Sequence, residues 1–189
     1  MSRSNDFKPT GIPVHAPRPS SGLPALEELF NLDSKNCTPQ NICAQLAKDF
    51  HVRETEVGLL WIHGKSLKFL FPVELSGAGT IPLSSSGIAA RTATTRTSEM
   101  FNNIAQINHV SVFEMVKLGT SQGGAQMIQK MMSVPMLDHE GEVCGVIQVS
   151  RKGFDLPSAG PDFTNEDLQR LELAASIAGR LLASAGSAG

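Results

Sequence analysis

The sequence predicts an α+β fold in which helices pack on an antiparallel sheet, and three observations carry that prediction. Apolar residues recur at three- and four-residue steps over 38–50 and again over 163–184, the period of helices. Between them, segments 56–74 and 126–152 each read as two strands joined by a short Gly-containing turn. The stretch linking these two hairpins mixes polar and apolar residues without one period. Terminal helices around antiparallel hairpins describe two packed layers, not an alternating βα wrap.

Residues 1–22, MSRSNDFKPTGIPVHAPRPSSG, carry Pro9, Pro13, Pro17 and Pro19 among Ser and Gly. Such a segment buries too little apolar surface to offset its ordering entropy, so a disordered tail is expected. Residues 186–189 read likewise, which leaves one domain over 23–185. PALEELFNLD, 24–33, is expected to be a short helix with Leu26, Leu29 and Phe30 on one side. Thr38-Pro39 opens the next helix, with a hydroxyl N-cap and a proline at the first helical position. Ile42, Cys43, Leu46, Ala47 and Phe50 form its buried stripe.

EVGLLWIH, 56–63, is almost continuously apolar, as in a central strand covered on both faces. KSLKFLFPVE, 65–74, alternates, with Leu67, Phe69, Phe71 and Val73 assigned to one face, and Gly64-Lys65 makes the turn. QMIQKMMSVPMLD, 126–138, and EVCGVIQVSRK, 142–152, form the second hairpin around His139-Glu140-Gly141. Strict alternation in its last strand puts Cys144, Val146, Gln148 and Ser150 on one face. The methionines Met127, Met131, Met132 and Met136 read as core filler. The closing helix has Thr164 as cap, Asp167 at the reciprocal capping-box position, and Phe163 placed to staple onto Leu168.

Composition narrows the function classes. With 41% apolar and 18% charged residues and a net charge of −2, no basic excess marks a nucleic-acid footprint. Cys37, Cys43 and Cys144 have neither zinc-site spacing nor a CxxC pair, and read as reduced thiols. The first residues lack the apolar core of a secretion signal, and no apolar run approaches the ~18 residues of a membrane span. A cytoplasmic protein that engages neither membrane nor nucleic acid is expected. The chain reads either as a stand-alone protein acting through a partner or as a fragment, and its Met start and floppy ends slightly favour the former.

The stretch IPLSSSGIAARTATTRTSEMFNN, 81–103, packs eight hydroxyl side chains and two arginines between apolar flanks. A nucleophile elbow needs Gly-x-Ser-x-Gly, but Leu83 and Ile88 stand where those glycines belong. The expected reading is a helix over GIAARTAT, capped by one of Ser84 to Ser86, with EMFNN as a polar strand after it. Free N–H groups at such a helix start suit an anionic ligand group.

The order of these elements, with SVPMLDHEGEVCGVIQVSRK and FTNEDLQRLELAA as its sharpest part, resembles a GAF domain over residues 24–185. That family is the small-molecule-sensing module of phosphodiesterases, phytochromes and bacterial regulators. The resemblance implies a GAF-like antiparallel sheet of about six strands, with terminal helices on one face and a ligand-roof segment, about 81–120, on the other. It also implies a non-enzymatic sensor of an unidentified small molecule, homodimeric through helices 24–33 and 163–184. A separate protein would then supply the output. Small residues beside the leucine ridge of the last helix, and a second ridge of Leu173, Ile177 and Leu181, suit that interface.

Family sub-motifs test the ligand. Three of five positions of the cyclic-nucleotide motif are met, by Lys152, Phe163 and Asp167, while Arg151 and Leu168 depart from it. Lys152 is expected within reach of Asp167. No cysteine in the roof suits a covalent bilin, and His109 is the one roof candidate for a haem ligand. The expected ligand set is Trp61, Ser85, Ser86, Arg91, Arg96, Asn103, His109, Phe113 and Gln148, with Asn102 beside it. No cofactor is assigned. Two alternatives stand beside the sensor: a thiol-dependent reductase similar to free methionine-(R)-sulfoxide reductase, using Cys144, and a ligand-free dimerisation scaffold.

Overall fold

The computed structural model describes residues 37–107 and 126–186. The expected helix 24–33, the N-terminal tail, residues 187–189, the 108–120 part of the expected roof, His109 and Phe113 lie outside the described residues. Gly186, expected in the C-terminal tail, ends the last helix.

Six strands form one antiparallel sheet in the order β3-β2-β1-β6-β5-β4. They are β1 Val57–His63, β2 Ser66–Phe71, β3 Thr80–Pro82, β4 Glu99–Phe101, β5 Met127–Leu137 and β6 Val143–Gly153. Gly64, at φ 60°, makes the tight β1–β2 turn that the sequence indicates. The continuous apolar run of β1 is central, between β2 and β6. The three-residue strand β3 is too short to leave a period-two signature in sequence.

Among the described residues, three α-helices cover the two faces. On one face lie α1, Pro39–Asp49, and α3, Asn165–Gly186. Thr38 caps α1 by accepting from the Asn41 amide at 3.2 Å, with Pro39 at the first position as the sequence predicts. At α3 the capping box closes both ways: the Asp167 amide donates to Thr164 Oγ1, and the Thr164 amide donates to Asp167 Oδ2. The core on this face joins Ile42, Leu46 and Phe50 of α1 and Leu171, Ala175 and Ala178 of α3 to Leu59, Met132, Val134 and Ile147.

On the other face lies α2, Ile88–Thr95. Its Ile88, Ala89, Ala90 and Ala93 pack with Leu60, Leu67, Phe69, Met131 and Val146. Gly87, not a serine, occupies the N-cap, and no side chain caps the helix. The hydroxyl cap expected from Ser84–Ser86 is therefore absent.

Two bulges correct the strand faces. In β2, Leu59 pairs Phe71 and Leu60 pairs Phe69, so Leu70 is supernumerary and Phe71 crosses to the α1–α3 face. Val73 leaves the sheet in a 3-10 turn and is exposed. In β6, Met136 pairs Gly145 and Leu137 pairs Val143, so Cys144 is the extra residue. It turns toward α3, away from Val146 and Gln148, with which alternation had grouped it.

Candidate functional site

The α2 face of the sheet carries Gln148 and, on α2 itself, Arg91, two of the polar residues picked out from the sequence. At its centre Thr92 of α2, Ser133 of β5 and Gln148 of β6 are all buried. Thr92 Oγ1 donates back to Ile88 O at 2.9 Å and lies 2.8 Å from Ser133 Oγ. Gln148 Nε2 donates to Ser133 Oγ at 3.2 Å. Because the Thr92 proton is used within the helix, the Ser133 proton must point to Thr92. The bonds therefore run one way, from Gln148 through Ser133 and Thr92 to Ile88 O. This relay seats α2 on the sheet among apolar side chains, where an unpaired polar group is costly.

The two arginines are both engaged, and at different places. Arg91 makes a forked contact with Glu99 of β4, Nε to Oε2 at 3.0 Å and Nη2 to Oε1 at 2.8 Å, and lies 5.8 Å from the Phe101 ring centroid. Arg96, past the end of α2, reaches out to Gly141 O and Glu142 Oε2 of the β5–β6 turn. It faces solvent, away from the sheet.

Two predicted residues carry free polar atoms. Among the described residues, Ser85 Oγ, in the turn before α2, and Asn103 Oδ1, after β4, are buried without a hydrogen-bond partner. Ser86 is exposed. Trp61 lies on the opposite side of the sheet, partly buried against the α1–α3 core, because its parity in β1 follows Leu59. Asn102 is pinned elsewhere: Nδ2 donates to Phe163 O at 2.9 Å, and the Phe163 amide donates to Oδ1 at 2.8 Å. The structure thus brings Gln148 under α2, sets Ser85 and Asn103 at its flanks, and leaves Trp61 and Arg96 outside that group. The relay partners Thr92 and Ser133 were not singled out from sequence, since a Thr within a helix and a Ser within a strand give no distinctive signal.

All three cysteines of the chain are on the α1–α3 side. Cys43 is fully buried in α1, and Cys37 packs against the same core from just before it. Cys144 Sγ donates weakly to Met136 O at 3.5 Å and Gly179 O at 3.9 Å. Burial, with the Asp138 charge, pushes the Cys144 thiol up to about 11, and burial raises Cys37 and Cys43 as well. None of these thiols faces α2, and at neutral pH their thiolate population is low.

The cyclic-nucleotide motif positions have structural roles here. Lys152 Nζ donates to Thr55 O at 2.9 Å. The Asp167 carboxylate is taken up by the Thr164 amide and hydroxyl and by Arg170 at 3.6 Å. Arg151 stacks on Phe163. Among the described residues, no cluster of three or more His, Cys, Asp or Glu side chains is arranged to hold a metal ion. No helix among them is long and apolar enough to cross a membrane.

The fold is that of GAF domains. Over 89% of this chain and 94% of theirs, the GAF domain of an Acinetobacter phosphoenolpyruvate-protein phosphotransferase superposes with a TM-score of 0.66 at 15% identity. A GAF domain of the same kind of enzyme from Coxiella burnetii superposes with a TM-score of 0.62 at 10% identity, over 88% and 94%. Free methionine-R-sulfoxide reductase from Neisseria meningitidis, solved with its substrate, gives a TM-score of 0.62 at 17% identity, over 88% and 89%. No protein-family model and no curated protein matches the chain. At these identities the likeness is one of fold.

Proposed function

We propose that this chain is a cytoplasmic sensory or regulatory domain of the GAF type, which binds a small molecule on the α2 face of its sheet without turning it over. One observation carries the reading: Ser85 Oγ and Asn103 Oδ1, flanking α2, are buried polar atoms with no hydrogen-bond partner among the described residues. Buried polar atoms are normally paired, and a ligand is one way to pair them. With Arg91 committed to Glu99 and Arg96 turned outward, these two atoms favour an uncharged, hydrogen-bonding ligand over an anion.

The output surface we assign to α3. Leu173 is 42% exposed, and Ile177 and Leu181 are only partly covered, which suits a second copy of the chain. An output protein would read the dimer.

Native mass spectrometry on protein purified without added ligand, with its denatured mass and an absorbance scan, tests both parts. A dimer carrying extra non-covalent mass supports the sensor, and the mass names the ligand class. A ligand-free dimer supports the scaffold alternative, and a monomer at micromolar concentration overturns the α3 interface.

A thiol-dependent reductase is the second reading, favoured by the fold it shares with free methionine-R-sulfoxide reductases. The cysteine placement weighs against it, since a reductase needs an attacking thiolate beside its substrate. Turnover of free methionine sulfoxide that is lost in Cys144→Ser would establish the enzyme. Absence of turnover, with Cys43 and Cys144 unreactive to a thiol reagent until the chain unfolds, supports the sensor.

A further inference from the structure

Arg96 ends α2 in the left-handed region, at φ 58°. Glycine is the usual residue at that point, because without a Cβ it adopts such a backbone at no steric cost. A non-glycine residue held there points to work for its side chain. That side chain leaves the helix and clasps the β5–β6 turn, Nη2 donating to Gly141 O at 2.8 Å and to Glu142 Oε2 at 2.9 Å.

The turn it grips is braced from within. The Asp138 amide donates to Glu142 O at 2.9 Å, and Asp138 Oδ1 accepts from the amides of Glu140 and Glu142, each at 2.9 Å. Gly141 and Glu142 therefore do not move independently of Asp138. On its other flank the same hairpin is keyed into α3. A Cβ placed on Gly179 would lie 2.3 Å from Leu137 O and 2.9 Å from Leu137 N, so helix and strand backbones touch there. One turn further along, His139 Nε2 and Ser184 Oγ are 2.7 Å apart.

We propose that the turn 138–142 is a mechanical coupling between the C-terminus of α2 and the C-terminal half of α3. The Coulombic part of the exposed Arg96–Glu142 pair is weak in water. The coupling rests on the bond to the Gly141 carbonyl and on the backbone contact at Gly179. Loosening the clasp frees the turn, and freeing the turn loosens α3 around residues 177–184. The route belongs to the fold itself and holds whether or not a ligand binds, so it stands or falls separately from the sensor reading.

Amide hydrogen exchange on the full chain tests it with Arg96→Gly, a variant that keeps the left-handed backbone and removes only the clasp. Exchange is expected to quicken about fivefold at 138–142 and at 177–184, the size expected for the loss of one net hydrogen bond, with α1 unchanged. The reverse variant Ser184→Ala is expected to quicken exchange at 138–142. Quickening confined to α2 and the turn overturns the coupling. Quickening spread equally over α1 overturns it too, since that is global loosening and not a route.

Discussion

The guanidinium of Arg151 lies 4.7 Å over the ring of Phe163 and also donates from Nη2 to Phe50 O at 3.1 Å. One side chain of β6 thus fastens the end of α1 to the residue that leads into α3. Arg170 of α3 does the complementary thing, lying 5.3 Å over the Phe50 ring and donating to Asp49 O at 3.4 Å. Two cations meet the free carbonyls and the negative dipole end of α1. Arg151→Ala is expected to cost about 1–2 kcal/mol in urea unfolding, the sum of a partly buried cation–π contact and one net hydrogen bond. Arg151→Lys should recover less than half, because an ammonium keeps the charge but loses the planar stack.

Gly179 is held to glycine by contact, not by backbone angle. Its missing Cβ is the space that Leu137 O fills. Gly179→Ala is expected to destabilise by about 2–3 kcal/mol, since neither the helix nor the strand backbone gives way cheaply. Gly77 has nothing within 4 Å of the same position, so Gly77→Ala is expected to change stability by less than about 0.5 kcal/mol. Thermal or urea midpoints of the two variants, measured side by side, check the contrast.

Glu56 is a buried carboxylate at the entrance to β1, 5% exposed. Burial alone would raise its pKa. The Arg53 side chain and the amides of Arg53 and Lys152, which donate to its two oxygens, outweigh burial and bring it below its ordinary value of 4.5. A depressed carboxyl stabilises the fold above the unfolded value and loses that contribution as pH falls through the folded one. Stability should therefore be level near neutrality and decline once pH drops below 4.5. In Glu56→Gln the protein should be less stable at neutral pH, and this part of the acid decline should flatten. An unchanged pH profile in Glu56→Gln would assign the decline to other carboxylates.

Much of this architecture is legible in the residues. Thr38-Pro39 and the Thr164–Asp167 box fix two helix starts because capping chemistry is local. Gly64 fixes a hairpin because only a few residues turn that tightly. Facing is harder to read. The apolar run of β1 is compatible with either parity, so Trp61 was assigned to the ligand face when it packs toward α1 and α3. Bulges at Leu70 and Cys144 reverse the faces of Phe71 and Cys144, and a bulge is a relation between two strands that neither strand shows alone. The Arg96 clasp is illegible for the same reason, since its partners are 45 and 46 residues away.

The relay from Gln148 to α2 yields the sharpest energetic test on the candidate site. Ser133 stands in the middle, accepting from Gln148 Nε2 and lying against Thr92 Oγ1, and it is fully buried. Ser133→Ala removes both contacts at once and leaves the Gln148 amide without its acceptor, at an expected cost of about 1–3 kcal/mol. Gln148→Leu removes the dangling donor instead of creating one. It leaves the Ser133–Thr92 contact intact and should cost less. Combined, the two changes should cost less than their sum, because the donor orphaned by the first is deleted by the second. A double-mutant cycle from urea unfolding measures that deficit. Strict additivity would mean that Gln148 and Ser133 do not depend on each other for their hydrogen bonds. It would also return Gln148 to the set of side chains available to a ligand.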